Sequence, residues 1–297
     1  MRLGFIPTMV RGRTTDPEYV GALAELLEEC GVESVWTVEH VVVAENYEPL
    51  YPYSEDGRMP TGPDTAMPDP LEWLSFMAAL TQRVRLGTSV IIASQHSAAI
   101  LAKRAATLDA LSRGRLSLGV GLGWQREEYE AVGVPYRDRG RRLDECIEAM
   151  RALWQDGPAT YRGKYQRFEN VRCDTQPVQE GGIPILIGGS TDHAARRAGR
   201  LGNGFYPYVI SPEDFAARLV TLREAAREAG RDADAVELSV WPGSYDFTRT
   251  FDLDLVRAYV DQGVSRLVVS AGEGGGDDLD NMRRLLESYQ EQVIEKL

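Results

Sequence analysis

With 297 residues, 43% of them hydrophobic and 26% charged, the chain can bury one large core as a soluble globular protein, in one domain or two. Its net charge is −12, and no basic stretch is interleaved with aromatics, which argues against nucleic acid or an anionic membrane as a partner. No run reaches the roughly 18 apolar residues of a membrane span, and MRLGFIPTMV lacks the long apolar segment and cleavage site of a signal peptide, so a cytoplasmic protein is expected.

In chain order, apolar β-rich segments begin near Leu3, Ser34, Val84, Leu116, Ile183, Gly204, Val236 and Arg266, with helical patterns between most of them. Asp16-Pro17, Asp69-Pro70 and Ser211-Pro212 each place a capping side chain before a proline at the first helical position. Arg85 to Glu128 is the clearest unit: RLGTSVIIAS, then AAILAKRAATLDALSRG, then RLSLGVGLGW read as strand, helix and parallel strand. Leu143, Ile147, Met150 and Trp154 form one apolar helical stripe, and Leu279, Met282, Leu286, Tyr289 and Val293 form another at the C-terminus.

Eight βα units without a break in composition predict an α/β fold, a (β/α)₈ TIM barrel spanning residues 1–297 as one domain, with an open α/β sheet as the alternative. The excess length falls in two insertions, after strands 2 and 4. Val41 to Asp69 is rich in Pro, Tyr and Gly, with Pro49, Pro52, Pro60, Pro63 and Pro68 forbidding a long helix; the other insertion lies between Trp154 and Ile183. Cys30, Cys146 and Cys173 are scattered without a Cys-x-x-Cys pair, and His40, His96 and His193 are the only histidines, so neither a disulfide framework nor a metal site is expected.

A barrel of this kind carries its chemistry on the loops after the carboxyl ends of its strands. Those ends read Pro7-Thr8, Glu39-His40, Ser89 onward, Gly121-Leu122-Gly123-Trp124, Gly188-Gly189-Ser190-Thr191, Tyr206-Pro207-Tyr208, Trp241-Pro242-Gly243 and Ser270-Ala271-Gly272. Glycines, hydroxyls and aromatics with few charges suit a large, flat, partly anionic ligand better than a hydrolase's paired carboxylates. Backbone amides and hydroxyls of Gly188, Gly189, Ser190 and Thr191 ahead of DHAARRAGRLG would make a phosphate site at a helix N-terminus. His193 and Arg196 could add charge there, whereas Arg197 and Arg200 read as a solvated helix face.

The runs RLGTSVIIAS, LAKRAATLDALSRGRLSLGVGLGWQREEYEAVGV and ILIGGSTDHAARRAGRLGNGFYP, with VESVWTVEHV before them, resemble the bacterial luciferase-like family of flavin and deazaflavin oxidoreductases. The likeness is to the branch that uses the deazaflavin coenzyme F420. It implies a luciferase-like barrel, hydride transfer between F420 and a small organic substrate, and a homodimer with helices near the second and third strands in its interface. By the same resemblance Glu39 meets the deazaflavin ring and His40 acts as the catalytic residue near the reacting carbon. Ser89-Val90 matches a cis peptide that bulges against the back of the ring, and Gly121 and Gly123 belong to its bed. Relatives that oxidise sugar phosphates carry glutamate directly after the Gly-x-Gly of the fourth strand. This chain has Trp124 there, which points to a planar or apolar substrate such as an activated enone, in a pocket shared with Tyr51 under a lid formed by Val41 to Asp69. Glu127 and Glu128 read equally well as functional acids or as charges at a helix start. An FMN-dependent monooxygenase of the same family and a non-catalytic flavin-binding member are the alternatives.

Overall fold

A computed structural model describes residues 1–62 and 65–297; Pro63 of the first insertion lies outside the described residues. The first half of the chain runs β1 (Arg2–Ile6), α1 (Pro17–Glu29), β2 (Ser34–Thr37), α2 (Pro70–Leu80), β3 (Arg85–Thr88), α3 (Ala98–Leu111), β4 (Leu116–Val120), α4 (Arg126–Ala131) and α5 (Arg139–Leu153). It continues through β5 (Ala159–Arg162), β6 (Arg167–Val171), β7 (Ile185–Gly188), α6 (Asp192–Leu201), β8 (Gly204–Tyr206) and α7 (Pro212–Glu228). The last elements are β9 (Glu237–Val240), α8 (Pro242–Tyr245), α9 (Leu253–Val260), β10 (Arg266–Ser270) and α10 (Leu279–Gln292).

Eight strands close into a barrel in the order β1-β10-β9-β8-β7-β4-β3-β2, and all eight pairs of neighbours are parallel. All are strands foreseen from the sequence. The two remaining strands, β5 and β6, were not: they form an antiparallel hairpin inside the second insertion. Both are largely exposed, so they lack the alternation of apolar residues that marks a strand packed on a core. At each Xaa-Pro signal the expected cap is present: Asp16 accepts from Glu18 N, Asp69 from Leu71 N and Glu72 N, and Ser211 from Asp214 N. Of the cysteines only Cys146 is buried, and its thiol is pushed up to about 12 by that burial; Cys30 and Cys173 are half-buried.

The barrel's interior is filled by a layer made of Trp36, Leu186, Tyr206 and Val268. The Trp36 indole is large enough to need space from both neighbouring strands. A Cβ on Gly4 would lie 2.7 Å from its Nε1, and one on Gly87 would lie 2.2 Å from its Cε3. Tyr206 packs edge-on against it with ring centroids 5.4 Å apart. This layer is a floor: everything toward the carboxyl ends belongs to the mouth, and everything beneath it to the amino end.

Beneath the floor, Arg266 is fully buried and stands over the Trp36 ring at 5.4 Å. Its guanidinium donates to both oxygens of Glu33, at 2.8 Å each, to Glu237 and to Ser239 Oγ. Arg2 Nη1 completes the network on Glu237 Oε2 at 2.7 Å. Burial alone would raise the Glu33 carboxyl, but the bonds and charge of Arg266 outweigh it and hold the group below its ordinary value. Among the described residues no helix is long and apolar enough to cross a membrane.

Candidate active site

Glu39 and His40 follow β2 on the carboxyl side of the floor, and as neighbours in extended chain they turn to opposite sides. Glu39 faces the segment after β3. Its Oε2 accepts from Ile92 N at 2.7 Å, and His96 Nε2 lies 3.0 Å from Oε1. The carboxylate is committed to protein groups, so its effect on a ligand bed runs through the β3 segment that it holds. His40 turns to the loop after β4. Its Nδ1 lies 3.0 Å from Glu128 Oε2, and Glu128 is fully buried. That bond leaves Nε2 as the ring nitrogen free to serve the mouth.

The peptide between Ser89 and Val90 is cis, as the resemblance implied. Beyond it the chain regains contact with β4 through an isolated bridge, Ile91 to Val120. This displaced segment explains the glycines on the neighbouring strands. A Cβ on Gly121 would sit 2.5 Å from Val90 Cγ2, and one on Gly188 would sit 2.6 Å from Val90 Cγ1. Gly123, at φ +63°, would meet Ile92 Cδ1 at 3.0 Å. The missing side chains of Gly121, Gly123 and Gly188 thus admit Val90 and Ile92, and the bulged β3 segment packs against these glycines at the mouth.

The first insertion lies over this mouth. Tyr47 and Tyr51 pack edge-on against Trp124 with centroids 4.9 and 5.3 Å away, and His40 stands 6.0 Å from the same indole. Tyr51 meets Tyr53 at 5.5 Å, and Tyr53 meets Tyr208 at 4.7 Å, so one aromatic row runs from the β4 loop to the β8 loop. Trp241 extends it, 5.5 Å from Tyr208, and its Nε1 donates to Glu273 Oε1 at 2.7 Å. Burial drives the Tyr51 and Tyr208 hydroxyls well above their ordinary range, so both are neutral donors near neutral pH. Polar bonds tie the insertion down as well. Glu128 Oε1 accepts from Val41 N at 2.7 Å, Gln125 Oε1 from Ala44 N at 3.1 Å, and Glu127 Oε1 from Glu48 N at 2.8 Å. Glu127 and Glu128 thus stand in the first turn of α4 and also serve the site.

Around the mouth, Thr8 Oγ1, Ser89 Oγ and Trp124 Nε1 are buried without a hydrogen-bond partner among the described residues. Alternation from Ile6 and Gly87, which face the floor layer, places Thr8 and Ser89 on the inner side. Buried polar atoms left unpaired are costly, and a ligand with donors and acceptors along a flat edge would satisfy them.

At the β7 loop, Gly189 takes φ +98°, a conformation that suits glycine. Thr191 Oγ1 accepts from Ala194 N at 3.3 Å and caps α6, while Ser190 Oγ donates to Tyr208 O at 2.9 Å. A Cβ on Gly189 would stand 3.9 Å from the Tyr53 hydroxyl, so the insertion reaches this loop too. The arginines of α6 need correction. Arg196 turns toward Glu228, 3.9 Å away; Arg197 is largely buried on Asp144 of α5 and is not part of a solvated face, whereas Arg200 reaches the same carboxylate from an exposed position, as expected. His96, Tyr53, Tyr208, Trp241 and Glu273 had no assigned role in the sequence reading. Their only signal was aromatic and acidic residues recurring at strand ends.

A closed parallel barrel with a histidine–glutamate pair, a cis-peptide bulge and an aromatic cover at its carboxyl rim defines a class of (β/α)₈ protein with its candidate site at that rim. The family model described as luciferase-like monooxygenase matches residues 2–245, and the chain belongs to that family. It is 34% identical over 226 residues to an uncharacterized protein of Mycobacterium tuberculosis, covering 74% of this chain and 79% of the relative. Over 232 residues it is 32% identical to an F420-dependent glucose-6-phosphate dehydrogenase of Nocardia farcinica, covering 74% of this chain and 62% of that enzyme. A monooxygenase of Streptomyces bottropensis superposes with a TM-score of 0.75 at 24% identity, over 100% of this chain and 99% of that one. The coenzyme F420 dependent tetrahydromethanopterin reductase of Methanopyrus kandleri gives 0.74 at 18% identity, over 100% and 99%. At these identities the two structures establish the fold.

Proposed function

We propose that this chain is an F420-dependent oxidoreductase that reduces an activated carbon–carbon double bond in a small planar substrate. The observation that carries the reading is the set of buried atoms Thr8 Oγ1, Ser89 Oγ and Trp124 Nε1, without partners among the described residues, at the carboxyl ends of β1, β3 and β4, with His40 beside Trp124. The edge of a deazaflavin, with alternating carbonyl and N–H groups, fits that donor and acceptor set, and the β3 bulge offers it an apolar back in Val90. The relatives named as F420-dependent support the cofactor. The glucose 6-phosphate of the Nocardia farcinica enzyme does not carry over, because Trp124, Tyr47 and Tyr51 give the mouth an aromatic wall.

When bound, F420 supplies the hydride. The chain supplies the rest. Val90 and its neighbours shape the bed, and the β7 loop with the α6 N-terminus takes the phosphate on Gly189, Ser190 and Thr191. Glu128 fixes the His40 tautomer by holding Nδ1, so that Nε2 delivers or removes the proton that matches the hydride. Trp124 and Tyr51 cover the substrate and exclude water. The chain acts as a homodimer, a reading supported by Phe76 and Leu80 on α2 and Ile100 and Leu111 on α3, large apolar side chains left exposed on adjacent helices. The test is to incubate apoprotein with F420 and with FMN, measure retained absorbance, and then follow enone reduction by the reduced, loaded protein. Retention of FMN alone would replace this reading with the monooxygenase. Retention of F420 without turnover of any acceptor would leave a binding protein.

A further inference from the structure

The loop after β9 carries large apolar side chains that neither the core nor the proposed chemistry uses. Tyr245, the last residue of α8, is 43% exposed and Phe247 is 56% exposed. Both follow Trp241 on the carboxyl rim. Trp241 packs against the floor layer of Trp36, Leu186, Tyr206 and Val268, and it also meets Phe247 edge-on with centroids 5.8 Å apart. One indole thus joins the bottom of the mouth to a solvent-facing ring.

That indole is fixed from several sides. Glu273 accepts from Trp241 Nε1 at 2.7 Å, from Tyr289 Oη at 2.8 Å and from Ser270 N at 2.9 Å, so α10 and the turn after β10 set the direction of the ring. A Cβ on Gly243 would lie 2.6 Å from Glu273 Cδ, so the chain beside Trp241 is bare where that carboxylate stands. Ser244 Oγ donates to Trp241 O at 2.7 Å and accepts from Val209 N at 3.0 Å. The oxygen of the same Tyr208–Val209 peptide accepts from Ser190 Oγ. Val209 takes φ +48°, a costly conformation for a β-branched residue, and the two serines that grip its peptide hold Tyr208 against Trp241.

The loop's charges are taken up within it. Arg249 Nε pairs with Asp252 at 2.7 Å, and Asp246 accepts from Thr248 N and Oγ1 at 2.9 and 2.7 Å. A small enone under Trp124 and Tyr51 would stop short of this region. From Tyr51 the aromatic row still runs through Tyr53 and Tyr208 to Trp241, in steps of 5.5, 4.7 and 5.5 Å.

We propose that Trp241 and Phe247 form an outer subsite for an uncharged aryl group that the substrate carries beyond its activated double bond, with Glu273 as the positioning residue of the indole. The inference rests on the reading of the mouth as the site of a planar enone. An aryl group suits the subsite because rings pack edge-on or offset on a fixed indole with more gain than the area alone supplies. Exposed rings continuous with a concave site are a ligand surface and not scattered surface apolarity.

The test is calorimetric titration of cyclohexenone and of its phenyl-substituted form into the protein carrying the oxidised cofactor it retains, where no hydride moves. The phenyl form should bind about tenfold tighter, in line with one good aromatic pair and the area it covers. Phe247→Ala, at a position more than half exposed, spares the fold; it should cut that preference about threefold and leave cyclohexenone affinity unchanged. Glu273→Gln should lower the preference in the natural chain and add nothing in Trp241→Phe, whose ring has no N–H to hold. With reduced cofactor the phenyl form should show the lower KM at similar kcat. Equal affinity for the two ketones, or an equal effect of Phe247→Ala on both, overturns the subsite while turnover of cyclohexenone keeps the enone reading. Equal losses from Glu273→Gln in both backgrounds overturn the positioning role. Turnover of neither ketone, with the binding preference intact, sinks the enone reading and leaves the aryl subsite standing.

Discussion

The two ends of the barrel treat polar groups in opposite ways. At the amino end Arg266, Glu33, Glu237, Ser239 and Arg2 satisfy one another, although a cavity of about 390 Å³ lined by Arg2, Arg85, Glu237 and Arg266 opens there. At the carboxyl end, across the Trp36 and Tyr206 floor, hydroxyls and an indole N–H are buried with no partner and two histidines are held by buried glutamates. A cavity by itself therefore says little about function in this protein. What separates the ends is whether the polar atoms are already paired: the closed network holds the barrel together, and the open one is the end proposed to bind the cofactor.

The largest effect should come from breaking the closed network. Arg266→Leu leaves the half-buried Glu33 and Glu237 with Arg2 as their remaining cation, and stability should fall by about 3 kcal/mol in denaturant unfolding, the low end for breaking a buried ion pair. Cofactor retention by the protein that remains folded should not change. The pH dependence has a definite sign. Since Glu33 titrates below its ordinary value in the fold, its contribution is complete above the unfolded value of about 4.3 and is lost as pH falls through the lower folded value. In Arg266→Leu that acid-side loss should shrink, with Ser34 and Arg2 left to hold the carboxylate. A variant as stable as the parent, with the same acid profile, would remove the distinction between the ends.

Changes at the open end should act on chemistry and spare the fold. His40→Ala should lower turnover by about 10²-fold or more with unfolding midpoint and cofactor affinity nearly unchanged. Glu128→Gln keeps an acceptor for Val41 N but alters which proton His40 carries, so it should lower the maximal rate more than substrate affinity and shift the pH profile of the rate. Turnover unaffected by either change would reduce the pair to packing. At the β7 loop, Gly189→Val should weaken F420 binding by about tenfold or more in a fluorescence titration. A Cβ has space there, with Ala194 Cβ at 3.5 Å, so the damage comes from forcing φ +98° on a β-branched residue and turning the loop's amides away. Unchanged affinity would move the phosphate elsewhere.

The barrel was legible because its signals are local: alternating strands and helices, Xaa-Pro caps and apolar stripes each lie within a short stretch of chain. The rim was legible where a family motif pinned a single feature, as at the Ser89-Val90 cis peptide. Its connections were not. Glu39 meets His96, His40 meets Glu128, and Tyr53 meets Tyr208, all pairings across different βα loops that no window of sequence contains. The packing role of the glycines was hidden for a related reason. Gly121 and Gly188 are glycines because Val90, on another strand, occupies the space of their side chains. The β5–β6 hairpin was missed because it faces solvent and carries no core pattern.

The smallest and most selective effect is expected at the cover. Val41 to Asp69 is joined to the site along its inner side, through Val41, Ala44, Glu48 and the three tyrosines, whereas its tip is self-contained. At that tip Tyr51 N donates to Gly57 O at 2.8 Å, Ser54 Oγ donates to Arg58 O at 2.7 Å, and Gly57 takes φ +68° with Pro49 O where a Cβ would be. The tip thus sets the direction in which Tyr51 and Tyr53 leave it, and does not itself touch the cofactor loops. Replacing Asp56-Gly57 and its immediate neighbours by a short Gly-Ser link should leave F420 affinity within about twofold and lower substrate turnover by about tenfold, because misplacing covering groups by an ångström is enough to lose alignment and admit water. The fall should appear with the planar substrate and be smaller with a minimal acceptor too short to reach Tyr51. Equal losses with both, or full activity after the replacement, would mean that the aromatic row packs the rim without acting as a lid.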